Sequence, residues 1–307
     1  MRKNSEVCLA IYSQLSIKHM SESIEKLKAL LELTDMSLEN QRKILVELND
    51  LLCDCIQDLF EYGIKFEDAG LFEKLLFQIT YHNSSILKLV NGSIINVRKK
   101  EIQINDLTAI SSIARLQIES FINLSYIFFI DCEYSVSLRT IVYKIQGLRK
   151  QIEITKKHPK DFPPIVKLRR ELSIELLKLR KLNEFKELSL SKRRQLIYPK
   201  FARLIKLEEI YNLINIGDLS EIHSLYSNHI HSEYISIRQL VSSLKKPNEG
   251  VRNNINILVL CSRITSSTIS NLAHKYNFEK GTLSKASNRI KKIIDSFNSI
   301  SNDLSKR

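Results

Sequence analysis

The sequence predicts an all-α protein: a multi-helix bundle with a central apolar helix and a protruding basic helical hairpin. Three observations carry that expectation. Glycine and proline are scarce, seven and five in 307 residues, whereas all-β and doubly wound folds need more turn residues. Apolar residues recur at helical spacing through most of the chain. Only one stretch, SIINVRKKEIQIN (93–105), reads as a strand or an extended loop.

The first helical signal lies near Ser5 to Leu33. A second begins at Ser37, places Ile44, Leu48, Leu51, Leu52, Cys55, Leu59 and Tyr62 at helical spacing, and stops at Gly63, a residue suited to the left-handed C-terminal position. A third runs from Asp68 to Val90 and ends at Asn91-Gly92. Asp106 then caps a helix, LTAISSIARLQIESFINLSYIFFID, that is apolar on most sides, as a central helix should be. The next, Tyr134 to Lys157, is broken by His158-Pro-Lys-Asp-Phe-Pro-Pro164, which leaves no room for helix.

Ile165, Leu168, Leu172, Leu176, Leu179 and Leu182 form a seam of period near 3.5 within Ile165 to Leu188, fitting a long helix packed in a hairpin. Ser189 to Pro199 reads as a basic connection, Phe201 to Ile214 as a short helix closed by Gly217. Asp218 with Glu221 opens a helix reaching Leu244, which Pro247 to Gly250 closes. Helices over Asn253–Tyr276 and Thr282–Leu304 complete the chain. Two regions are expected: residues 1–103, and a core domain 104–307 that contains the basic hairpin 144–206.

The composition, 43% apolar and 26% charged, is that of a soluble globular protein rather than a disordered one. No N-terminal apolar run is long enough for a signal peptide. The most apolar stretch, Ile118 to Ile130, is about half a membrane span and contains Glu119 and Asn123. The expected compartment is therefore the cytoplasm, with no membrane partner. Five cysteines, Cys8, Cys53, Cys55, Cys132 and Cys261, show no zinc spacing. Cys53 and Cys55 would point about 200° apart on a helix, so free thiols and no metal are expected.

The net charge of +13 is concentrated: residues 144–206 hold 19 Lys plus Arg against 6 Asp plus Glu, a surplus equal to that of the whole chain. Such a region can meet nucleic acid, anionic lipid or an acidic protein, or simply be a solvated hairpin. The candidate nucleic-acid-binding residues are Lys167, Arg169, Arg170, Lys178, Arg180, Lys181, Lys192, Arg193 and Arg194.

A second candidate is a polar centre. Ser220, Ser224, Ser227, His231, Tyr234 and Arg238 recur at spacings of 4, 3, 4, 3 and 4, one helix face that carries site-building groups rather than Lys and Glu. Arg115, Glu119, Asn123 and Tyr126 give the central helix a matching face. The economical arrangement joins the two faces, with Glu119 near His231 or Arg238; a Glu–His contact can serve as an acid–base pair or as a buried structural network. His223, His229 and His231 lack the spacing for zinc. No phosphate loop, nucleophile elbow or kinase motif is present, and no cofactor is implied.

IARLQIESFINLSYIFF (Ile113–Phe129), SLRTIVYKIQGLRKQ (Ser137–Gln151) and YSNHIHSEYISIRQL (Tyr226–Leu240) together resemble an uncharacterised family of bacterial all-helical proteins. The resemblance rests on Arg115, Glu119, Tyr126, Lys144, Gly147, Leu148, Tyr226, Ser227, His231 and Ser232, and covers roughly Asp106 to Leu240. It implies a fold and no activity. The family is loosely similar to helical nucleotide-binding domains of bacterial defence systems, some of them RNA nucleases with an Arg four to six residues before a His; no Arg here stands at that spacing. The leading expectation is a non-enzymatic binding module, nucleic-acid-associated through residues 144–206. The alternatives are a nucleic-acid-processing enzyme of a defence system centred on Glu119 and His231, and a purely structural subunit.

Overall fold

The computed structural model describes residues 33, 35–61, 68–157, 159, 162–214, 216–230, 237–238, 241, 247–276 and 281–304. The expected first helix lies outside them, apart from its last residue. Twelve α-helices and one β-hairpin occur among the described residues, so the protein is an all-α multi-helix bundle. No described helix is long and apolar enough to cross a membrane.

The chain divides into two compact units. The first takes residues up to 64, then 73–121 and 215–307; the second takes 65–72 and 122–214. In the first unit, α1 (Leu38–Glu61) buries Ile44, Leu45, Leu48, Leu51, Leu52, Cys55 and Ile56 along one stripe. Ser37 starts it, its Oγ accepting from Asn40 N at 3.3 Å. Helix α2 (Ala69–Leu89) follows, its first turn belonging to the second unit.

Strands β1 (Ser93–Val97) and β2 (Lys100–Ile104) pair antiparallel, with Ser93 opposite Ile104 and Val97 opposite Lys100. The two-residue turn puts Arg98 and Lys99 at φ of 50° and 68°, the conformation a type I′ hairpin requires. The turn lacks the usual Asn-Gly. Left-handed geometry costs a residue with a Cβ about 1 kcal/mol, which is why turn chemistry gives no hairpin signal here.

Helix α3 (Leu107–Leu124) starts as expected, Asp106 Oδ1 accepting from Ala109 N at 2.9 Å. It buries Leu107, Ile110, Ala114, Ile118 and Phe121. The helix does not run on to Asp131 as α-helix. Ser125–Phe129 is a π-helical turn, closed by Ile130 N donating to Ser125 O at 3.0 Å.

The second unit is built from α4 (Val136–Ile154), a 3₁₀ turn (Thr155–Lys157), α5 (Pro163–Lys181), α6 (Asn183–Glu187), α7 (Leu190–Ile197) and α8 (Leu207–Ile214). Pro163 and Pro164 occupy the first turn of α5, where a missing N–H costs nothing. The short connection makes α4 and α5 an antiparallel pair. Their shared core is Leu138, Ile141, Val142, Ile145 and Leu179, extended by Phe185 of α6 and Leu196 of α7. Glu184 ties α6 to the start of α4: its carboxylate accepts from Ser135 N at 3.2 Å and Ser135 Oγ at 2.6 Å. The expected basic connection Ser189–Pro199 is instead mostly helix α7, capped by Ser189. The expected helix Phe201–Ile214 begins only at Leu207.

Back in the first unit, α9 (Leu219–Ile230) is followed by α10 (Pro247–Tyr276), α11 (Thr282–Lys285) and α12 (Asn288–Leu304). Pro247 to Gly250 is the first turn of α10 rather than a closing loop, because proline is favoured there. Helix α10 packs on α1 and α12 and buries Ile257, Leu258, Ile264, Ile269 and Leu272. The expected helix Thr282–Leu304 breaks at Ala286-Ser287, and Ser287 Oγ restarts it by accepting from Ile290 N.

Candidate functional site

On α5 the leucine seam turns inward: Ile165 and Leu179 are buried, Leu168, Leu172, Leu176 and Leu182 half-buried. The cations occupy the remaining faces. Lys167, Arg169, Arg170, Arg180 and Lys181 are exposed, as are Lys192 and Arg194 on α7. Lys178 and Arg193 are among those with internal partners. Lys178 pairs with Glu175 at 3.1 Å. Arg193 donates from Nε to Leu188 O at 2.8 Å and from Nη2 to Lys186 O.

A pocket of about 420 Å³ opens beside α7, its apolar side made by Leu188, Leu196, Pro199 and Leu204. The remaining lining is aromatic, from Tyr134, Tyr198 and Phe201, and polar or cationic, from Lys192, Gln195, Lys200 and Arg203, with no Asp or Glu among the described lining residues. Tyr198 and Phe201 are each 66% exposed. Arg149 sits 4.1 Å from the Tyr198 ring centroid while its Nε donates to Ile197 O at 2.8 Å, so the guanidinium supports one side of the ring. Burial, then a hydrogen bond to Glu133, pushes the Tyr134 hydroxyl up to about 12, so it stays a neutral phenol.

The pocket wall is anchored from below. Tyr126, fully buried, accepts at its hydroxyl from Leu204 N at 2.9 Å. Burial raises that phenol to about 12 as well. Arg139, 3% exposed, donates from Nη1 to Tyr126 O and to Ile130 O, the latter at 2.9 Å. It thereby takes up carbonyls that the end of the π turn leaves without helical partners.

The expected polar centre is described only in part. His231, Ser232 and Tyr234 lie outside the described residues, and Arg238 is exposed. Ser220 and Ser224 are exposed; Ser227 is half-buried and returns its hydroxyl to His223 O at 2.8 Å. The inward face of α9 is Leu219, His223 and Tyr226. Glu119 meets His223, whose Nε2 lies 3.4 Å from Glu119 Oε1. Arg115 pairs with the same oxygen at 3.0 Å, as its spacing predicts. Asn123 and Tyr126 belong to the second unit. The expected capping residue Asp218 has its carboxylate on Arg263, at 2.9 Å.

A different network occupies the core of the first unit. Asn83 Nδ2 donates to Asn49 Oδ1 and to Thr265 Oγ1, both at 2.9 Å. Gln117 Nε2 donates to Asn83 Oδ1 at 2.6 Å, and Cys261 Sγ donates to Gln117 Oε1 at 3.2 Å. Four helices, α1, α2, α3 and α10, meet at these amides. The available signal was polar side chains standing in apolar stripes, such as Asn49 between Leu48 and Leu51-Leu52. Likewise Tyr198-Pro-Lys-Phe201 with Arg203 marks the pocket, an aromatic and basic run that charge counting alone passes over.

The described cysteines, Cys53, Cys55, Cys132 and Cys261, are free. Burial pushes the Cys55 thiol up to about 12 and Cys261 higher still, so neither supplies a thiolate nucleophile near neutral pH. Among the described residues no three His, Cys, Asp or Glu converge as a metal site would require. No family model, no curated protein and no solved structure matches the chain.

Proposed function

We propose that this protein is a non-enzymatic binding module that engages nucleic acid through the helices of residues 144–206. The observation that carries the reading is the concentration of the whole net charge in this region, with Lys167, Arg169, Arg170, Arg180, Lys181, Lys192 and Arg194 all exposed. Phosphate contacts from such side chains release counterions, so binding weakens steeply with salt. No base-reading motif accompanies them, which makes the binding weakly sequence-specific.

Filter binding with RNA and DNA tests this. Six phosphate contacts would cost roughly a thousand-fold in affinity between 50 and 200 mM salt. The triple variant Arg170→Glu, Lys181→Glu, Arg194→Glu should abolish retention while keeping the melting temperature, since exposed substitutions usually cost under about 0.5 kcal/mol. No retention at micromolar protein in low salt removes nucleic acid and leaves an acidic protein partner as the occupant of this surface.

A second reading, a nucleic-acid-processing enzyme of a defence system, is favoured by one observation: Glu119 stands between Arg115 and His223. A carboxylate beside an imidazole can orient it and hold a proton for acid–base work. In this reading His223 takes the place of His231. End-labelled RNA incubated with the protein should then be cut, and Glu119→Gln and His223→Asn should each slow cutting by about 100-fold or more. RNA that stays intact under conditions where it is bound removes the enzymatic reading.

A further inference from the structure

Resting on the reading that residues 144–206 bind nucleic acid, we infer that the pocket beside α7 seats an unpaired nucleobase between Tyr198 and Phe201, making the ligand single-stranded. Both rings are two-thirds exposed, so burial of apolar area does not account for their position. Tyr198 is nonetheless held, with the Arg149 guanidinium over it and that guanidinium fixed by Ile197 O. A ring supported on one side and open on the other is a stacking platform, and every base offers it a π-face.

The charges around the rings match the rest of a nucleotide. Lys192, Lys200 and Arg203 stand on the same rim, without a described carboxylate in the lining. Lys200 Nζ lies 5.4 Å from the Phe201 ring centroid, so a phosphate beside a base stacked there meets a cation. The volume of about 420 Å³ lies within the 300–1,000 Å³ usual for small-ligand sites. A duplex keeps its bases stacked on each other and presents phosphates outward, so it would use the cations and leave the aromatic pair idle.

The chain has no tryptophan, so Tyr198→Trp gives a single reporter inside the pocket. Its fluorescence should be quenched by a short single-stranded oligonucleotide and unchanged by a duplex of equal length. In anisotropy titrations of the full chain, Tyr198→Leu with Phe201→Leu should weaken single-strand binding by about 10-fold or more. The salt slope should stay the same, because no cation is removed. Arg170→Glu with Lys181→Glu, which lie outside the pocket, should weaken binding of single strand and duplex alike and flatten the salt slope. If the aromatic variant binds as the parent does while the charge variant fails, the pocket inference falls and the nucleic-acid reading stands. If the parent binds neither single strand nor duplex, both fall. Melting curves of each variant confirm that the loss is not unfolding.

Discussion

Asn83→Ala is expected to destabilise the protein by about 3–5 kcal/mol, the largest effect of any single polar substitution in the first unit. Asn83 is fully buried and uses both donors and its carbonyl oxygen, to Asn49, Thr265 and Gln117. Truncation strands the Gln117 amide donor and the Asn49 acceptor, at about 1–3 kcal/mol for each buried group left unpaired, and adds a cavity. Since whole domains are stable by only about 5–15 kcal/mol, the variant should lose a large share of its stability in urea or thermal unfolding. Pairing Asn83→Leu with Gln117→Leu should recover part of that loss, because removing both partners leaves fewer orphaned groups. An Asn83→Ala protein within about 1 kcal/mol of the parent would mean that water replaces the amide. The network would then have no role in fixing how α1, α2, α3 and α10 register against one another.

Arg139→Met should cost the second unit about 3 kcal/mol or more. Methionine preserves most of the packing volume but donates nothing. The carbonyls of Tyr126 and Ile130 then lose a charge-assisted donor in a buried site, and hydrogen bonds to charged groups are worth about 1.5–3 kcal/mol each. The effect should spread to the pocket, since Tyr126 positions Leu204 through its hydroxyl. Hydrogen exchange offers a local reading: the Leu204 amide should lose protection in Arg139→Met. Arg139→Lys, with a point charge in place of a planar fork, should recover one of the two carbonyls and part of the stability. Unchanged protection at Leu204 would show that the π turn holds itself without the guanidinium.

The fold class was legible because apolar stripes at period 3.6 and scarce Gly and Pro do not depend on tertiary context. Capping was legible where the chemistry is local, as at Asp106 and Ser37. Helix α7 was not, because its cluster Lys192-Arg193-Arg194 hides a helix that buries only Leu196. The β-hairpin reads as either strand or loop because Arg98-Lys99 carries no turn signature. Of the polar centre, the Arg115–Glu119 pair was legible from its i, i+4 spacing. The sequence places a glutamate, an arginine and a histidine on facing helices. That His223 turns inward depends on the rotation of α9, which is set by burial of Leu219 and Tyr226. Nothing in the spacing Ser220–Ser224–Ser227 reveals that Ser220 and Ser224 are exposed. The Asn49–Asn83–Gln117–Thr265 network was out of reach for the opposite reason: each member sits singly in its own helix, and only packing brings them together.

A turn closed by an i→i+5 bond takes in one residue more than an α-helical turn. Ser125–Phe129 is therefore a widened last turn of the helix, and Ile130 leaves it in an extended conformation. Removing one residue from this turn would restore α geometry while leaving Leu107–Leu124 its inward side chains, because the turn is the end of the helix. Divergence in chain length is thus tolerable at this point in a way it is not at Leu107–Leu124. Any alignment of this chain with a distant homologue should allow a single-residue gap at 125–129, and a face counted at constant period across it, such as Arg115–Glu119–Asn123–Tyr126, slips out of phase at its last member.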